Sequence, residues 1–159
     1  MSKTSSFVLA CALAFFLTSP ATSQCFIGGV NFTNYGQGCT PFFSPPQISG
    51  QFDPASCTLT FSLTNSPSCC NTYLVERFFV FGLQQAAQPL PFLGPNCFSW
   101  TSADLIVVQS NSAGGDLAVL LPPGAVGLTF YAQGANHFFT TIGFTHDYEL
   151  SQGLRVDIF

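Results

Sequence analysis

The residues of this chain best suited to acid–base chemistry are clustered in the segment His146-Asp147-Tyr148-Glu149. An imidazole is the usual proton acceptor near neutral pH, so His146 is the strongest candidate for a general base and His137 a weaker one. Hydrolysis would also need a positioned hydroxyl nucleophile, and no G-x-S-x-G element is present to hold one. Adjacent strand residues point to opposite faces, so Asp147 is not expected to orient His146. The sequence favours a polar loop before the final strand over a catalytic site.

Carboxylates suggest a second kind of chemistry, because calcium prefers oxygen ligands. Asp147 and Glu149 could bind the ion together with loop carbonyls, and Asp104 and Asp116 could do so if a hairpin brings them together. No segment resembles D-x-D-x-D-G, the pattern typical of a calcium loop. Turn capping and solubility explain these carboxylates adequately. The prediction is that the protein has no metal or cofactor site.

Aromatic side chains give a third possibility, since sugars stack on exposed rings and hydrogen-bond to the Asn, Gln and Asp side chains that are plentiful here. The candidates for such a platform are Trp100, Tyr73, Tyr131 and Tyr148. Single aromatic residues on strands belong more often to a core, and Trp100 follows Cys97 closely enough to pack against a bridge there. A carbohydrate-binding surface is therefore an alternative to a plain packing role.

The first 23 residues look like a removable secretory signal peptide. Lys3 gives the positive start, residues 7–17 the short apolar stretch, and Ala21-Thr22-Ser23 the small-residue cleavage site. The mature chain is then expected to begin at Gln24 and to form one domain over residues 24–159. No later apolar run is long enough for a spanning helix. These features predict a secreted protein, located outside the cell, in a periplasm or on the cell surface.

The cysteines that remain after the predicted leader are even in number, which in an exported protein predicts three disulfides. Adjacent Cys69 and Cys70 are expected to bond to two different partners, because a bridge between neighbours strains the peptide that joins them. A zinc site is less well supported, since two short Cys or His pairs at fixed spacing are missing. The six cysteines are Cys25, Cys39, Cys57, Cys69, Cys70 and Cys97.

The charge of the chain excludes some partners. The predicted mature protein has only Arg77 and Arg155 as basic residues against seven acidic ones, a net charge of −5. Nucleic acids and anionic membranes need a patch of Lys and Arg, so neither is an expected partner. Hydrophobic residues make up 47% of the chain, which is enough apolar surface to exclude disorder.

Short apolar or alternating runs separated by Gly, Pro, Asn and Ser predict an all-β fold, an antiparallel β-sandwich of jelly-roll or immunoglobulin-like type with about seven to nine strands. Apolar and hydroxyl residues alternate over 57–64, which is typical of a half-buried strand. Residues 72–81 are apolar on both faces except at Glu76 and Arg77. A central strand is expected there, with these two charges on opposite sides.

The rest of the chain is read in the same way. Residues 105–109 and 117–121 flank a turn-forming stretch and are predicted to form a hairpin. A Gln- and Pro-rich stretch at 84–95 is predicted to be a connector, and the aperiodic stretch 25–54 to wrap the sheets. Four more strands are predicted at 97–102, 128–133, 138–144 and 154–159.

Several short segments resemble a known group of proteins. They are Tyr35-Gly36-Gln37-Gly38-Cys39, then Pro89-Leu90-Pro91 through Gly94-Pro95-Asn96-Cys97, then Gly127-Leu128-Thr129-Phe130-Tyr131-Ala132-Gln133, and last Ser151-Gln152-Gly153-Leu154-Arg155-Val156. In this order the chain, from about Tyr35 to its end, resembles secreted proteins abundant in planctomycetes and some other large-genome bacteria. The resemblance implies a secreted β-rich domain, often appended to surface or repeat proteins, and implies no established reaction.

The same resemblance implies a disulfide pairing. The first and last of the group's recurrent cysteines correspond to Cys39 and Cys97, which are therefore expected to form one bridge. The other four mature cysteines would form the remaining two bridges.

Together these observations predict a secreted, non-enzymatic interaction or structural module. The alternatives are a carbohydrate-binding module and a small secreted hydrolase. The expected partner is a glycan or a surface protein, and the oligomeric state is left open.

Overall fold

The computed structural model describes residues 25–40, 44–64, 71–110 and 115–159, so the predicted signal peptide lies outside the described part of the chain. No helix in that part is long and apolar enough to cross a membrane. A short 3₁₀ turn lies at Pro123–Ala125. The strands are β1 (Val30–Tyr35), β2 (Ile48–Asp53), β3 (Thr58–Leu63), β4 (Thr72–Gly82), β5 (Gln85–Pro89), β6 (Phe98–Thr101), β7 (Leu105–Ser110), β8 (Asp116–Leu120), β9 (Thr129–Thr140) and β10 (Thr145–Ile158).

The strands form three antiparallel sheets. Five of them make the largest sheet in the order β1-β10-β9-β4-β7, three make the sheet β2-β3-β8, and β5 pairs with β6. The prediction of an all-β antiparallel sandwich is confirmed, while the described residues contain ten strands where seven to nine were expected.

The core lies between the five-stranded and the three-stranded sheet. In β3 the alternation predicted from the sequence puts Leu59, Phe61 and Leu63 inward, all almost completely buried. Phe61 meets two rings of the opposite sheet edge to face, Phe81 at 5.2 Å and Phe130 at 6.2 Å between ring centroids. Burial of each such side chain contributes about 1.5–3 kcal/mol to folding, so these side chains hold the two layers together.

Strand β4 behaves as predicted at its two charged residues. It lies inside the five-stranded sheet, between β9 and β7. Arg77 is buried, with 4% of its surface exposed, whereas Glu76 lies on the opposite face next to His137. Neighbouring strand residues point apart, which places one charge on the core side and the other on the outer side.

The C-terminal strands are longer than the sequence indicated. The predicted strands at 128–133 and 138–144 both fall on one strand, β9, which ends at Thr140. The strand prediction is wrong for residues 141–144, which form the turn to β10, and the expected polar loop around His146 is the start of β10. Gly134 explains the apparent break, because a Cβ at this position would overlap the side chain of Leu63 from the other sheet. A glycine here marks a close approach of two sheets rather than a turn.

The predicted hairpin of residues 105–109 and 117–121 is wrong in its pairing. Both segments are strands, but β7 pairs with β4 and β8 pairs with β3, so they belong to different sheets. Each strand has an apolar side that must face the core, and the open edges of β4 and β3 satisfy that requirement better than a mutual pairing.

Two segments predicted to lack strands contain them. The stretch 25–54 supplies β1 and β2, where Gly50 lies beneath the ring of Phe32 and interrupts the apolar periodicity. The predicted connector at 84–95 contains β5, whose proline, Pro89, is the last residue of the strand. A proline is tolerated at the end of an edge strand because its missing N–H is not needed there.

Two disulfides link the described residues, Cys25–Cys57 and Cys39–Cys97. The second is the pair implied by the resemblance. These bridges use all four described cysteines. Cys69 and Cys70 lie outside the described residues, and with them the expectation that each bonds to a different partner and the third predicted bridge.

Candidate functional site

The outer face of the five-stranded sheet, turned away from the core, is covered over only part of its area. The β5–β6 hairpin lies on it and is held by the buried amide of Gln133. The Gln133 side chain accepts a hydrogen bond from the Trp100 amide at 3.0 Å and donates to the carbonyl oxygens of Phe98, at 3.0 Å, and Ser151, at 2.9 Å. Beyond the hairpin, the face is open near the turn between β9 and β10.

Five aromatic and imidazole rings lie in a continuous row on this open part. Tyr148 stacks on His137 with ring centroids 4.6 Å apart and an angle of 8° between the planes. His137 stacks on His146 at 5.1 Å, His146 contacts Phe139 at 5.2 Å, and Phe139 contacts Phe144 at 6.3 Å. We call these five residues the ring row. Phe144 is 80% exposed and Tyr148 37%, so the two ends of the row face solvent.

The two histidines are directly hydrogen-bonded. His137 Nε2 and His146 Nδ1 are 2.9 Å apart, so one imidazole donates to the other. On its other side, His137 Nδ1 lies 3.5 Å from the Glu76 carboxylate, an ion-pair distance that is long for a hydrogen bond. The two imidazoles therefore share one hydrogen bond, and the Glu76 carboxylate lies beside the pair.

The remaining residues of the predicted catalytic segment do not join this pair. Asp147 points to the other side of β10, where the hydroxyls of Thr140 and Thr145 each donate to its carboxylate at 3.4 Å. Glu149 is fully buried and accepts a 2.5 Å hydrogen bond from the Thr40 hydroxyl. Asp147 and His146 therefore lie on opposite faces of β10, as expected for neighbours in a strand.

The structure divides the four aromatic candidates for sugar binding into two pairs. Tyr73 is 59% exposed and lies opposite Phe139 in the register of β4 and β9, next to the ring row, which contains Tyr148. Trp100 and Tyr131 are half-buried and lie elsewhere on the outer face, against Tyr35. Only the first pair presents open ring surface.

Trp100, Tyr131 and Tyr35 form a packed polar–aromatic cluster. The Trp100 indole donates to the Gln37 carbonyl at 2.8 Å, and the Tyr35 hydroxyl donates to the Trp100 carbonyl at 2.5 Å. Burial, with a smaller effect of the neighbouring Tyr131 hydroxyl, raises the pKa of Tyr35 to about 12. Their hydrogen bonds give these residues a structural role.

The carboxylates considered for calcium are dispersed. Asp104 lies at the end of β4 and β7, where its carboxylate accepts from the Leu83 amide at 2.8 Å and the Ser102 hydroxyl at 2.7 Å. Asp116 begins β8 in the other sheet, so no hairpin brings the two together. In the part of the chain that the structure covers, no three His, Cys, Asp or Glu side chains form a group that could hold a metal ion.

Sequence reasoning missed the pairing of His137 with His146 and Glu76. The signal that could have found it is the turn at residues 141–144, since a hairpin closed there places His137 directly opposite Tyr148 and diagonal to His146. The contact with Glu76 depends on the neighbouring strand β4 and has no local signature in the sequence.

Comparison of the chain with protein-family models, with curated proteins and with solved structures finds no match in any of the three.

Proposed function

We propose that the protein is a secreted, non-enzymatic interaction module that binds its partner through the ring row and the adjacent Tyr73. The single observation that carries this proposal is the continuous row of contacting rings, with Tyr148, His146 and Phe144 exposed, on a sheet face that the β5–β6 hairpin leaves open. Exposed aromatic residues that are held in place by stacking give large contact areas at little cost in conformational entropy.

The proposed location outside the cytosol is supported by the disulfides. Two bridges close loops between residues 32 and 58 positions apart in the sequence, and such crosslinks persist in oxidising compartments. The predicted signal peptide points the same way. We propose a secreted, periplasmic or cell-surface protein, and the resemblance to secreted planctomycete proteins supports the same location.

The surroundings of the imidazoles favour binding over catalysis. His137 Nε2 and His146 Nδ1 are hydrogen-bonded to each other, and His137 Nδ1 lies beside Glu76. Tyr148 stacks on His137, and Phe139 packs at an angle against His146. A general base in a hydrolase instead needs a ring nitrogen that faces a positioned nucleophile. The pair therefore serves to fix the position of the row.

The chemistry of the partner follows from this surface. Aromatic faces, imidazole edges and one carboxylate suit a partner that offers apolar groups and hydrogen-bond donors. The strongly acidic balance of the chain disfavours nucleic acids and anionic membranes. We propose a surface protein as the partner, and the exposed rings of Tyr73 and Phe144 favour a glycan as the second candidate.

The test compares two double variants of the exported protein. Tyr73→Ser/Phe144→Ser removes exposed rings at the proposed surface, while Phe26→Ser/Leu120→Ser removes side chains that are similarly exposed, at 73% and 71%, elsewhere. Binding is measured on a glycan array and by crosslinking to surface proteins of the producing cells. We expect the first variant to lose binding by about tenfold or more and the second to bind as the wild type does.

A hydrolase would be revealed by a separate experiment. The wild type and His146→Ala are compared in a broad screen of ester, peptide and glycoside substrates. We expect no activity in either protein. An activity that is present in the wild type and lost in His146→Ala would overturn the non-enzymatic proposal, and equal binding by both double variants would overturn the proposed surface.

A further inference from the structure

An apolar pocket lies between the two stacked sheets, at the side of the sandwich formed by β7 and β8. It has a volume of about 340 Å³. Its walls are inward-facing side chains of both sheets, among them Phe61 and Leu117 from one layer and Phe81, Val107 and Phe130 from the other. The pocket is thus a continuation of the hydrophobic core.

The pocket stays open because β7 and β8 do not pair. Each is the edge strand of its own sheet, so nothing closes the gap between the layers on this side in the described residues. Val119 of β8 faces the gap and is still 37% exposed. Around the mouth, three leucines expose at least half of their surface: Leu83, Leu105 and Leu128.

A space of this size is unusual inside a domain. Native cores are packed as densely as organic crystals and contain few voids larger than a water molecule. Apolar cavities stay dry, and an engineered cavity of about 150 Å³ in another protein binds benzene. A pocket of about 340 Å³ with apolar walls and an exposed leucine rim is therefore suited to an apolar guest.

One charged residue stands at the mouth. Asp104 lies at the rim of the pocket beside Leu83 and Leu105, with its carboxylate in solvent outside the apolar wall, where hydrogen bonds from the Leu83 amide and the Ser102 hydroxyl fix its position. The same two hydrogen bonds hold the pKa of Asp104 below its usual value, so the group is anionic at neutral pH. A guest with an anionic end is repelled here, and one with a cationic end is attracted.

We propose that this pocket binds one single-chain amphiphile, with its hydrocarbon chain between the sheets and a cationic head group beside Asp104. Since a methylene group fills about the same volume as a water molecule in the liquid, about 30 Å³, the pocket holds a chain of roughly ten carbons. The ring row lies on the outer face of the five-stranded sheet, so this site is distinct from the proposed interaction surface and does not depend on it.

The probes are three compounds with the same ten-carbon chain: decyltrimethylammonium, decyl maltoside and decanoate, each used below its micelle concentration. Binding to the exported protein is measured by isothermal titration calorimetry at neutral pH. We expect one decyltrimethylammonium per chain, weaker binding of the maltoside, and decanoate weaker than the cation by about tenfold or more. Asp104→Asn should remove most of the difference between cation and anion while preserving binding of the maltoside.

A blocking variant locates the site. Val119→Trp fills the gap between the sheets, and Leu120→Trp places the same side chain on the opposite face of β8, one residue further on. We expect the first to weaken binding of decyltrimethylammonium by about tenfold or more and the second to leave it unchanged. If Val119→Trp loses the wild-type circular dichroism spectrum, Leu128→Trp at the exposed rim takes its place.

Four results would overturn the proposal. In the binding measurements they are that no probe binds, that the blocking variant binds as the wild type does, or that decanoate binds as tightly as the cation. In light scattering, the fourth is a wild-type dimer that both Val119→Trp and the probes dissociate, because a second copy of the chain would then fill the pocket.

Discussion

At the scale of single residues, Gln133 is the side chain that does most to hold the β5–β6 hairpin on the outer face of the five-stranded sheet. It is buried, and its amide satisfies a backbone N–H of Trp100 and two carbonyl oxygens, those of Phe98 and Ser151. The Gln133 amide therefore joins three strands, since β6 and the irregular part of β10 both form hydrogen bonds with this one residue of β9. In the sequence Gln133 stands out only as the last residue of a segment shared with the resembling proteins, and nothing there indicates this role.

Replacement of this amide is expected to be costly. Gln133→Met keeps the size and flexibility of the side chain but leaves Trp100 N–H and two carbonyl oxygens without their partner. We expect the free energy of unfolding to fall by about 3 kcal/mol or more, because each buried polar group without a partner costs about 1–3 kcal/mol. Urea titration followed by Trp100 fluorescence measures the change.

The control is Gln109→Met, whose amide makes one exposed hydrogen bond, to the Asp116 carbonyl at 3.2 Å. We expect it to change stability by less than about 1 kcal/mol. If both variants lowered the free energy of unfolding equally, Gln133 would not be the residue that holds the β5–β6 hairpin in place.

At the scale of elements, the β5–β6 hairpin is attached to the rest of the sandwich by the amide of Gln133, by the hydrogen bonds of Trp100 with Gln37 and Tyr35, and by a disulfide. The disulfide Cys39–Cys97 joins the loop after β5 to a residue that forms a β-bridge with Leu150 of β10. A two-stranded hairpin is only marginally stable alone, so these attachments decide whether it forms.

Removal of that disulfide should loosen the hairpin selectively. In the chain-entropy model, a bridge over 58 residues contributes about 4 kcal/mol, and Cys39→Ala/Cys97→Ala should lower the free energy of unfolding by up to that amount. Hydrogen exchange followed by mass spectrometry should show faster exchange in β5 and β6, while β3 and β4 remain protected until global unfolding.

The matched control is Cys25→Ala/Cys57→Ala, which removes a bridge of 32 residues at the start of β3. It should lower stability by a similar amount without a selective effect on β5 and β6. Unchanged exchange in the hairpin after loss of Cys39–Cys97 would mean that Gln133 and packing are sufficient to hold it.

At the scale of the whole molecule, three carboxylates at separate turns and strands stabilise the folded state. Hydrogen bonds from Ser56 and Ala55 lower the pKa of Asp53, those from Leu83 and Ser102 lower that of Asp104, and those from Thr129 and Arg155 lower that of Asp157. A carboxyl whose pKa is lower in the folded than in the unfolded chain stabilises the fold only while it is ionised.

The pH dependence of stability follows from these shifts. The contribution is complete above the unfolded value, 3.8, and is lost as pH falls through the lower folded values. We expect the urea midpoint of unfolding to be constant near neutral pH and to decrease once the pH is lower than about 4. The decrease should be smaller in the variant Asp53→Asn/Asp104→Asn/Asp157→Asn. Asp116→Asn, which keeps these three carboxyls, should retain the wild-type acid profile.

The sequence predicted those strands that alternate or lie between clear turns. Residues 57–64 and 72–81 were recognised because apolar side chains with a period of two leave no other element that buries them. It failed where glycine has a tertiary role. Gly134 and Gly50 interrupt the apolar pattern of their strands and so suggest that the strand ends there. In the structure each lies within a strand, and a glycine is needed because a side chain from another strand occupies the space of its missing Cβ.

The candidate site was predictable only in part. His146, Tyr73 and Tyr148 were named as functional candidates from their types alone, but their grouping depends on the register of β10, β9 and β4. The apolar pocket had no sequence signal, since it arises from two strands that do not pair.

By itself the sequence determined the class of the fold, because a period of two and frequent turn residues are local properties that permit only sheets. The disulfide Cys25–Cys57, the ring row and the pocket between β7 and β8 were decided by tertiary structure alone, whereas the pair Cys39–Cys97 was already implied by the resemblance. Which strand lies next to which, and in which sheet, follows from how all apolar faces are buried together, and that is a property of the whole chain rather than of any segment.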